Sequence, residues 1–333
     1  MRAAWYESQG VARNVLVVGT MEDPVPGSGE VRIEVQCSGI NPGDVKKRSD
    51  AFGVGMPYPR VIPHSDGSGT VDAVGVGVSS ELVGKRVWCF GAQSYRPFGT
   101  AAEYVVVPVE QVTRLPSNTP WEQGACLGIP GITAHRAVHV GGRIKDRIVL
   151  VQGGAGAVGM AAVAVAKHAG ARVIATVRSE VDSTIARGQG ADEVLLAEGL
   201  GLEEIVERVL AVASDGVDHI VEVAFEANVA MDEQVLKLGG SIATYATNRP
   251  NPEIPFWNLV FKNARLYFLG SDDFPAEAKR QAADDLSELL AHGWEGYPIG
   301  RVLPLDEIAT AHELVEQADQ SGRVVLNLTE GVF

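Results

Sequence analysis

Ile148-Val149-Leu150-Val151, followed one residue later by Gly153-Gly154-Ala155-Gly156-Ala157-Val158-Gly159, is the stretch around which the chain organises itself. Four consecutive apolar residues suit a parallel strand buried on both faces. The glycines contain GxGxxG at Gly154, Gly156 and Gly159, and GxxGxxG from Gly153. Alone, GxGxxG is a weak signal. Here it follows a buried strand and opens an Ala- and Val-rich helix to about His168, and in that context it points to a dinucleotide. One glycine permits the tight turn, one lets a pyrophosphate approach the backbone, and one lets helix and strand pack closely. The helix N-terminus, beginning at Ala157 and Val158, offers N–H groups and a positive dipole end to phosphates. The competing reading, a glycine-rich turn without a ligand, fits the flanking elements less well.

Outward from this motif, Arg172 to Thr176, Glu193 to Leu196, His219 to Val221 and Ser241 to Thr244 repeat the strand theme, with helical stretches between them such as Leu202 to Ala213. That alternation predicts an α/β region, a doubly wound parallel sheet of the Rossmann kind, over 123–270. Residues 1–122 read as β-rich. Val31-Arg32-Ile33-Glu34-Val35 alternates as a half-buried strand does, and Pro24, Pro26, Gly27, Gly29, Pro42 and Gly43 are among the turn residues that punctuate the region. Repeated strands with short turns suggest a small barrel-like domain. Residues 271–333 read as an acidic helix (Pro275 to His292), a second helix (Leu305 to Ala318) and a last strand (Arg323 to Leu328), expected to return to the first domain.

The composition narrows the function classes. At 333 residues the chain has room for about two domains. No apolar run approaches the roughly 18 residues of a membrane helix. The start, Met1-Arg2-Ala3-Ala4-Trp5-Tyr6-Glu7, has no apolar signal core, so a cytoplasmic location is expected. Cys37, Cys89 and Cys126 lie far apart without CxxC spacing, and read as reduced, buried thiols. The net charge of −14 argues against nucleic acid and anionic membranes as partners.

The strand after the glycine motif bears on which dinucleotide binds. NAD sites usually place Asp or Glu about 20 residues on, to hold the ribose 2′-hydroxyl. Here the strand ends Thr176-Val177-Arg178-Ser179, with no acid at its tip. Arg178 can pair with a 2′-phosphate, and Thr176 and Ser179 can hydrogen-bond it. This favours NADPH. The alternative is that Arg178 is a solvated surface charge, with Glu180 and Asp182 close by.

Further stretches complete the pattern: Ser38 to Asp44, Pro63 to Gly75, Gly128-Ile129-Pro130-Gly131-Ile132-Thr133-Ala134, Ala311-His312-Glu313, and Gly322-Arg323-Val324-Val325-Leu326. With the glycine motif they resemble the medium-chain dehydrogenase/reductase superfamily, and within it the zeta-crystallin-type quinone oxidoreductases. The resemblance implies a GroES-like β-rich catalytic domain beside the Rossmann domain. Zinc-dependent relatives carry a cysteine ligand where this chain has Asn41 and a histidine where it has Ser65, and their four-cysteine lobe has no counterpart. Catalytic zinc needs about three protein ligands. A substitute set of His64 with Asp66 or Asp44 competes with the simpler reading of His64 as an ordinary histidine in a Pro/Gly turn. No metal is expected.

Without a Lewis acid, hydride transfer needs an electron-poor acceptor, such as a quinone or an α,β-unsaturated carbonyl. Asn41 is the candidate donor to an acceptor oxygen or the nicotinamide ribose, or else a turn residue before Pro42. By resemblance Asp44 lies near the site, and it equally suits capping the following helix. The family often carries tyrosines where this chain has Lys46 and Phe52. Lys46 could supply a proton or charge, while Lys47 and Arg48 beside it favour a solvated basic run. The resemblance also implies that Thr133 faces the nicotinamide, and that Tyr245, Ala246, Phe268, Leu269 and Gly270 flank the cofactor. His135, Trp121 and Trp257 read as core or interface residues. NADPH-dependent reduction of a quinone is the leading expectation, with a medium-chain enoyl or enone reductase and a non-enzymatic NADPH-binding protein as alternatives. The family implies a homodimer or homotetramer, with Ile254 to Phe261 as a candidate interface or a buried helix.

Overall fold

A computed structural model describes residues 1–317 and 322–329. Ala318, the expected end of the second C-terminal helix, lies outside the described residues, as do 319–321 and 330–333 of the expected C-terminal segment. The chain divides into two compact units, Met1–Pro130 with Ala283–Phe333, and Gly131–Ala282. The helices Gly128–His139 and Ala276–Ala291 run through the points of division. The expected boundaries after 122 and 270 lie short of these points.

In the second unit six strands form one parallel sheet, ordered Glu193–Leu196, Arg172–Val177, Ile148–Val151, Val217–Glu222, Leu236–Thr244, Arg265–Phe268. Numbered within the unit this is 3-2-1-4-5-6, so strand order reverses between Ile148–Val151 and Val217–Glu222, where such sheets open a crevice at their carboxyl ends. The Rossmann expectation is met, and Arg265–Phe268 is a further strand that short, punctuated sequence did not disclose. Leu150, Ile174, Ile220 and Ile242 are fully buried in the sheet centre. Helix Leu202–Val212 covers them with Val206 and Val209, and leaves Glu203, Glu204 and Glu207 in water. Each such aliphatic burial contributes roughly 1.5–3 kcal/mol.

In the first unit Glu30–Gly39 is the central strand. One edge pairs antiparallel with Asp66–Val74. On the other, its first half pairs with Tyr104–Pro108, and its last residues pair with Arg323–Asn327. Register shifts at Arg32/Ile33 and Val35/Cys37 interrupt the ladder, and such bulges bend a strand so that it can change partners. The seven-stranded sheet also carries Arg86–Cys89, Val112–Arg114 and Ile299–Pro304. Ile33, Val71, Val87, Val107 and Leu326 are among the fully buried residues of its core. All three cysteines are free and buried.

The short helix Phe256–Phe261 corrects the reading of that stretch as a buried helix, and of Trp257 as a core residue. Only Leu259 is buried, while Phe256, Trp257 and Phe261 are exposed, Phe256 meeting Trp257 edge-on and Trp257 stacking on Phe261.

Gly39 ends the central strand with its backbone against Ala125, where a β-carbon would lie 1.9 Å from the Ala125 carbonyl oxygen. Gly39→Ala is expected to destabilise the first unit by about 3 kcal/mol, because backbone cannot move aside as a side chain can. Urea or thermal unfolding of the purified protein measures this, and an unchanged transition would show that the contact is not required.

Candidate functional site

The glycine turn sits at the carboxyl end of Ile148–Val151. Gly153 has φ +68, the left-handed region that only glycine enters freely, and its carbonyl accepts the Gly156 N–H at 2.9 Å. Gly154 lies on the next strand, where a β-carbon would be 2.7 Å from that of Ala175. At Gly159 a β-carbon would fall 2.1 Å from the Gly153 carbonyl oxygen. Gly156 is exposed, and Ala157 and Val158 are half-buried at the start of helix Ala157–His168. This bare backbone, with first-turn N–H groups that have no partner inside the helix, fits a pyrophosphate.

At the tip of Arg172–Val177, Arg178 is exposed and makes no hydrogen bond or ion pair among the described residues. Ser179 caps helix Glu180–Gly188 by accepting the Asp182 N–H at 3.1 Å. Thr176 differs from expectation. Its hydroxyl donates to Gln152 Oε1 at 2.6 Å and accepts the Gly153 N–H at 3.2 Å. With its one proton committed it has none for a phosphate, so the reading of Thr176 as a phosphate ligand is corrected. Thr133 is buried on helix Gly128–His139. Tyr245 and Ala246 are half-buried after Leu236–Thr244, and the Ala246 carbonyl accepts the Phe225 N–H at 3.1 Å. Burial and the nearby Glu222 push the Tyr245 hydroxyl up from its ordinary range. Phe268 and Gly270 are exposed and Leu269 half-buried, and the Phe268 ring meets Phe225 edge-on at 5.6 Å.

In the first unit, Asn41 precedes helix Pro42–Ser49. The Asp44 carboxylate accepts the Asn41 backbone N–H at 2.8 Å, so Asp44 caps the helix. The Asn41 amide is held at both ends: Nδ2 donates to Asp66 Oδ2 at 2.6 Å, and Oδ1 accepts from Arg323 at 2.7 Å. Asp66 is fully buried and also accepts the Ile129 N–H, at 2.8 Å to Oδ2 and 2.9 Å to Oδ1. A β-carbon at Gly128 would lie 2.0 Å from Asp66 Oδ1, so a glycine is needed for the carboxylate to reach this helix end. Burial pushes the Asp66 carboxyl up to about 7, against the opposing pull of the Asn41 amide, the Ile129 N–H and Arg323. Sequence reading weighed Asp66 only as a metal ligand and quoted Arg323 only within a tail motif. Nothing local marks either as the partner of Asn41, 25 and 282 residues away.

Lys46 is exposed and Lys47 half-buried, but Arg48 is not part of a solvated run. It is fully buried, bonded to the Gly10 carbonyl and paired with Glu316. His64 is no ordinary turn histidine either. At φ +75 it is fully buried, with Nδ1 2.8 Å from the Ser38 hydroxyl and Nε2 2.9 Å from Nε2 of His312. One ring must donate and the other accept, so the two cannot both carry charge. Among the described residues no three His, Cys, Asp or Glu side chains group so as to hold a metal ion.

Residues 27–117 match the alcohol dehydrogenase GroES-like domain, and residues 157–284 the zinc-binding dehydrogenase family. Mouse quinone oxidoreductase is 31% identical over 311 residues, which cover 92% of this chain and 91% of that protein. The chain belongs to the zeta-crystallin-like quinone oxidoreductases of the medium-chain dehydrogenase/reductase superfamily. As a member of that family it is an oxidoreductase enzyme, and its two units are the GroES-like and Rossmann parts that the family combines. A solved mycobacterial quinone oxidoreductase superposes with a TM-score of 0.85 at 26% identity, covering 98% of this chain and 100% of that one. A mycobacterial protein solved in complex with NADPH superposes at 0.83, also at 26% identity, covering 98% and 100%. No helix among the described residues is long and apolar enough to cross a membrane.

The histidine pair makes stability depend on acid. Burial drives both imidazoles below the ordinary value of 6.5, His312 to about 3, helped by the neighbouring Arg48 charge. Since the folded values are depressed, the stabilising contribution is complete above pH 6.5 and is lost as pH falls towards 3. The expected loss is about 1.4 kcal/mol per pH unit for each histidine. His312→Gln should remove one proton's share of that slope, read by urea unfolding at a series of pH values. An unaltered slope would mean that the pair is not held neutral.

Proposed function

We propose that this protein reduces quinones with NADPH by hydride transfer, without a metal. The observation that carries the cofactor choice is the exposed, unpaired Arg178 at a strand tip bearing no acid, beside the glycine turn. A carboxylate there would bond a 2′-hydroxyl and repel a 2′-phosphate, whereas a guanidinium pairs with the phosphate. The solved NADPH complex of a mycobacterial relative supports the same choice. When bound, NADPH supplies the hydride.

The chain's own residues bind, orient and polarise. Gly153, Gly154, Gly156 and Gly159 keep the turn bare for the pyrophosphate, and the N–H groups of Ala157 and Val158 face it. Arg178 pairs with the 2′-phosphate, and Ser179, whose oxygen caps a helix, keeps its proton to donate there. Thr133, Tyr245, Ala246, Phe268, Leu269 and Gly270 are assigned to the nicotinamide end. Asn41 has two amide hydrogens and spends one on Asp66, so the other is assigned to the acceptor oxygen as negative charge develops. Asp44 acts through Asn41 by holding its backbone. Lys46 lies in water, and the hydroquinone anion left by hydride transfer takes its one proton from solvent.

The metal-free part is supported by the donor set. Asn41 and Ser65 stand where zinc relatives have cysteine and histidine, and the Asp66 carboxylate is occupied by Asn41 and Ile129. An electron-poor acceptor then suits the chemistry, because conjugation spreads the arriving charge that a Lewis acid would otherwise carry.

Steady-state oxidation of NADPH and NADH with an ortho-quinone, a 2-enoyl thioester and a simple enone, with and without EDTA, tests this reading. The expected result is NADPH oxidation with the quinone that EDTA does not alter. Turnover restricted to the enoyl or enone substrates, or lost on chelation, would overturn it. Arg178→Ala should raise KM for NADPH about tenfold or more and leave KM for NADH near its wild-type value, since one charge-assisted contact is removed. Equal effects on both dinucleotides would remove Arg178 from the phosphate site.

A further inference from the structure

Behind the glycine turn lies a buried polar chain that the reaction itself does not use. Gln152 is the residue between strand Ile148–Val151 and Gly153, and is itself buried. Its Nε2 donates to Asp232 Oδ1 at 2.8 Å, and its Oε1 accepts the Thr176 hydroxyl at 2.6 Å. That hydroxyl accepts the Gly153 N–H at 3.2 Å. Three hydrogen bonds therefore connect a fully buried acid on helix Phe225–Val235 to the one motif residue with a left-handed backbone. Gly153 in turn receives the Gly156 N–H and lies under Gly159, so a tilt of its peptide would displace the start of helix Ala157–His168.

We infer that Asp232, Gln152 and Thr176 form a positioning relay for the glycine turn, and that they set its affinity for the dinucleotide whichever group the 2′ position carries. The inference rests on the glycine turn being the dinucleotide site.

The acid persists in the interior because it is paired. Asp232 Oδ2 has no N–H or O–H donor among the described residues, but the Asp232 carboxyl is within hydrogen-bonding reach of Glu222, also fully buried. Glu222 receives the Ala224 N–H and the Asn228 amide, at 3.0 Å to Oε1 and 3.2 Å to Oε2. Donors thus converge on Glu222, and burial together with the Glu222 charge holds the Asp232 carboxyl well above the usual range. Of the pair, Asp232 is the acid favoured to hold a proton, while its Oδ1 accepts from Gln152. Tyr245 also faces the Glu222 charge, and burial with that charge keeps its hydroxyl neutral. A protonated aspartic acid held in this way has the shape and hydrogen-bonding pattern of asparagine.

That equivalence gives the relay its test. NADPH and NADH are titrated separately by nucleotide fluorescence into wild type, Thr176→Val, Thr176→Ser, Asp232→Leu and Asp232→Asn, with thermal unfolding recorded for each. Thr176→Val and Asp232→Leu are expected to weaken both dinucleotides by the same factor, about fivefold, as loss of one neutral hydrogen bond implies. In steady state the loss falls on KM for the dinucleotide rather than on turnover at saturation. Thr176→Ser and Asp232→Asn restore the relay and recover affinity. A Thr176→Val defect confined to NADPH would overturn the relay, since the hydroxyl would then serve the 2′-phosphate. Unchanged affinity with a lowered melting temperature would overturn it too, leaving a structural role. Should Asp232→Leu not fold, Thr176→Val and its serine rescue decide alone. Wild type binding neither dinucleotide would remove both the relay and the cofactor reading beneath it. Because binding is read directly, a failure of quinone turnover alone bears on the proposed reaction and not on the relay.

Discussion

A β-carbon at position 159 would lie 2.1 Å from the Gly153 carbonyl oxygen, so helix Ala157–His168 meets the turn before it at a separation only glycine allows. Much of the second unit follows from that approach. The helix can start within one turn of the strand end, which places its N-terminal dipole at the carboxyl edge of the sheet, where the strand order reverses. Its length is built from alanine and valine and is buried from Gly159 to Ala166, as a helix lying this close to a sheet must be. The turn itself stays bare of side chains, and its conformation is held from behind by Thr176 and Gln152.

The first unit solves a comparable problem with a charge. The Asp66 carboxylate occupies the N-terminus of helix Gly128–His139 and receives the Asn41 amide, and glycine at 128 is what allows the carboxylate to fit. Removing a carboxylate from water is costly, and the bonds from Ile129 and Asn41 offset only part of that, hence the raised proton affinity. Asn41 is thereby oriented by groups far from it in sequence. Its use as a hydrogen-bond donor depends on them as much as on its own amide.

The elements were legible where local pattern and burial agree. The central strands declared themselves as apolar runs, the glycine motif declared its turn, and Leu202 to Ala213 declared a helix. Residues whose role depends on a distant partner were not legible. Arg48 follows two lysines and reads as solvated, yet it lies in the core against Gly10 and Glu316. His64 reads as a turn residue, but its partner is 248 residues away. Thr176 has the right chemistry and position for a phosphate ligand, and nothing in the strand shows that Gln152 has claimed its proton. Asp232 did carry a faint signal: it falls seven residues after Phe225 and three after Val229, on the buried stripe of its helix. An acid there calls for a partner, and Glu222 at the end of an apolar strand was the one to seek.

By itself, then, the amino-acid order determined the classes of element, the parallel sheet with its dinucleotide turn, and the family, because periodicity, glycine spacing and motif sets are properties of neighbours along the chain. Tertiary structure alone decided which polar groups remain free to act. A hydroxyl, amide or carboxyl has a fixed number of protons and lone pairs, and whether these are already spent depends on residues that folding brings within 3 Å of one another from anywhere in the chain.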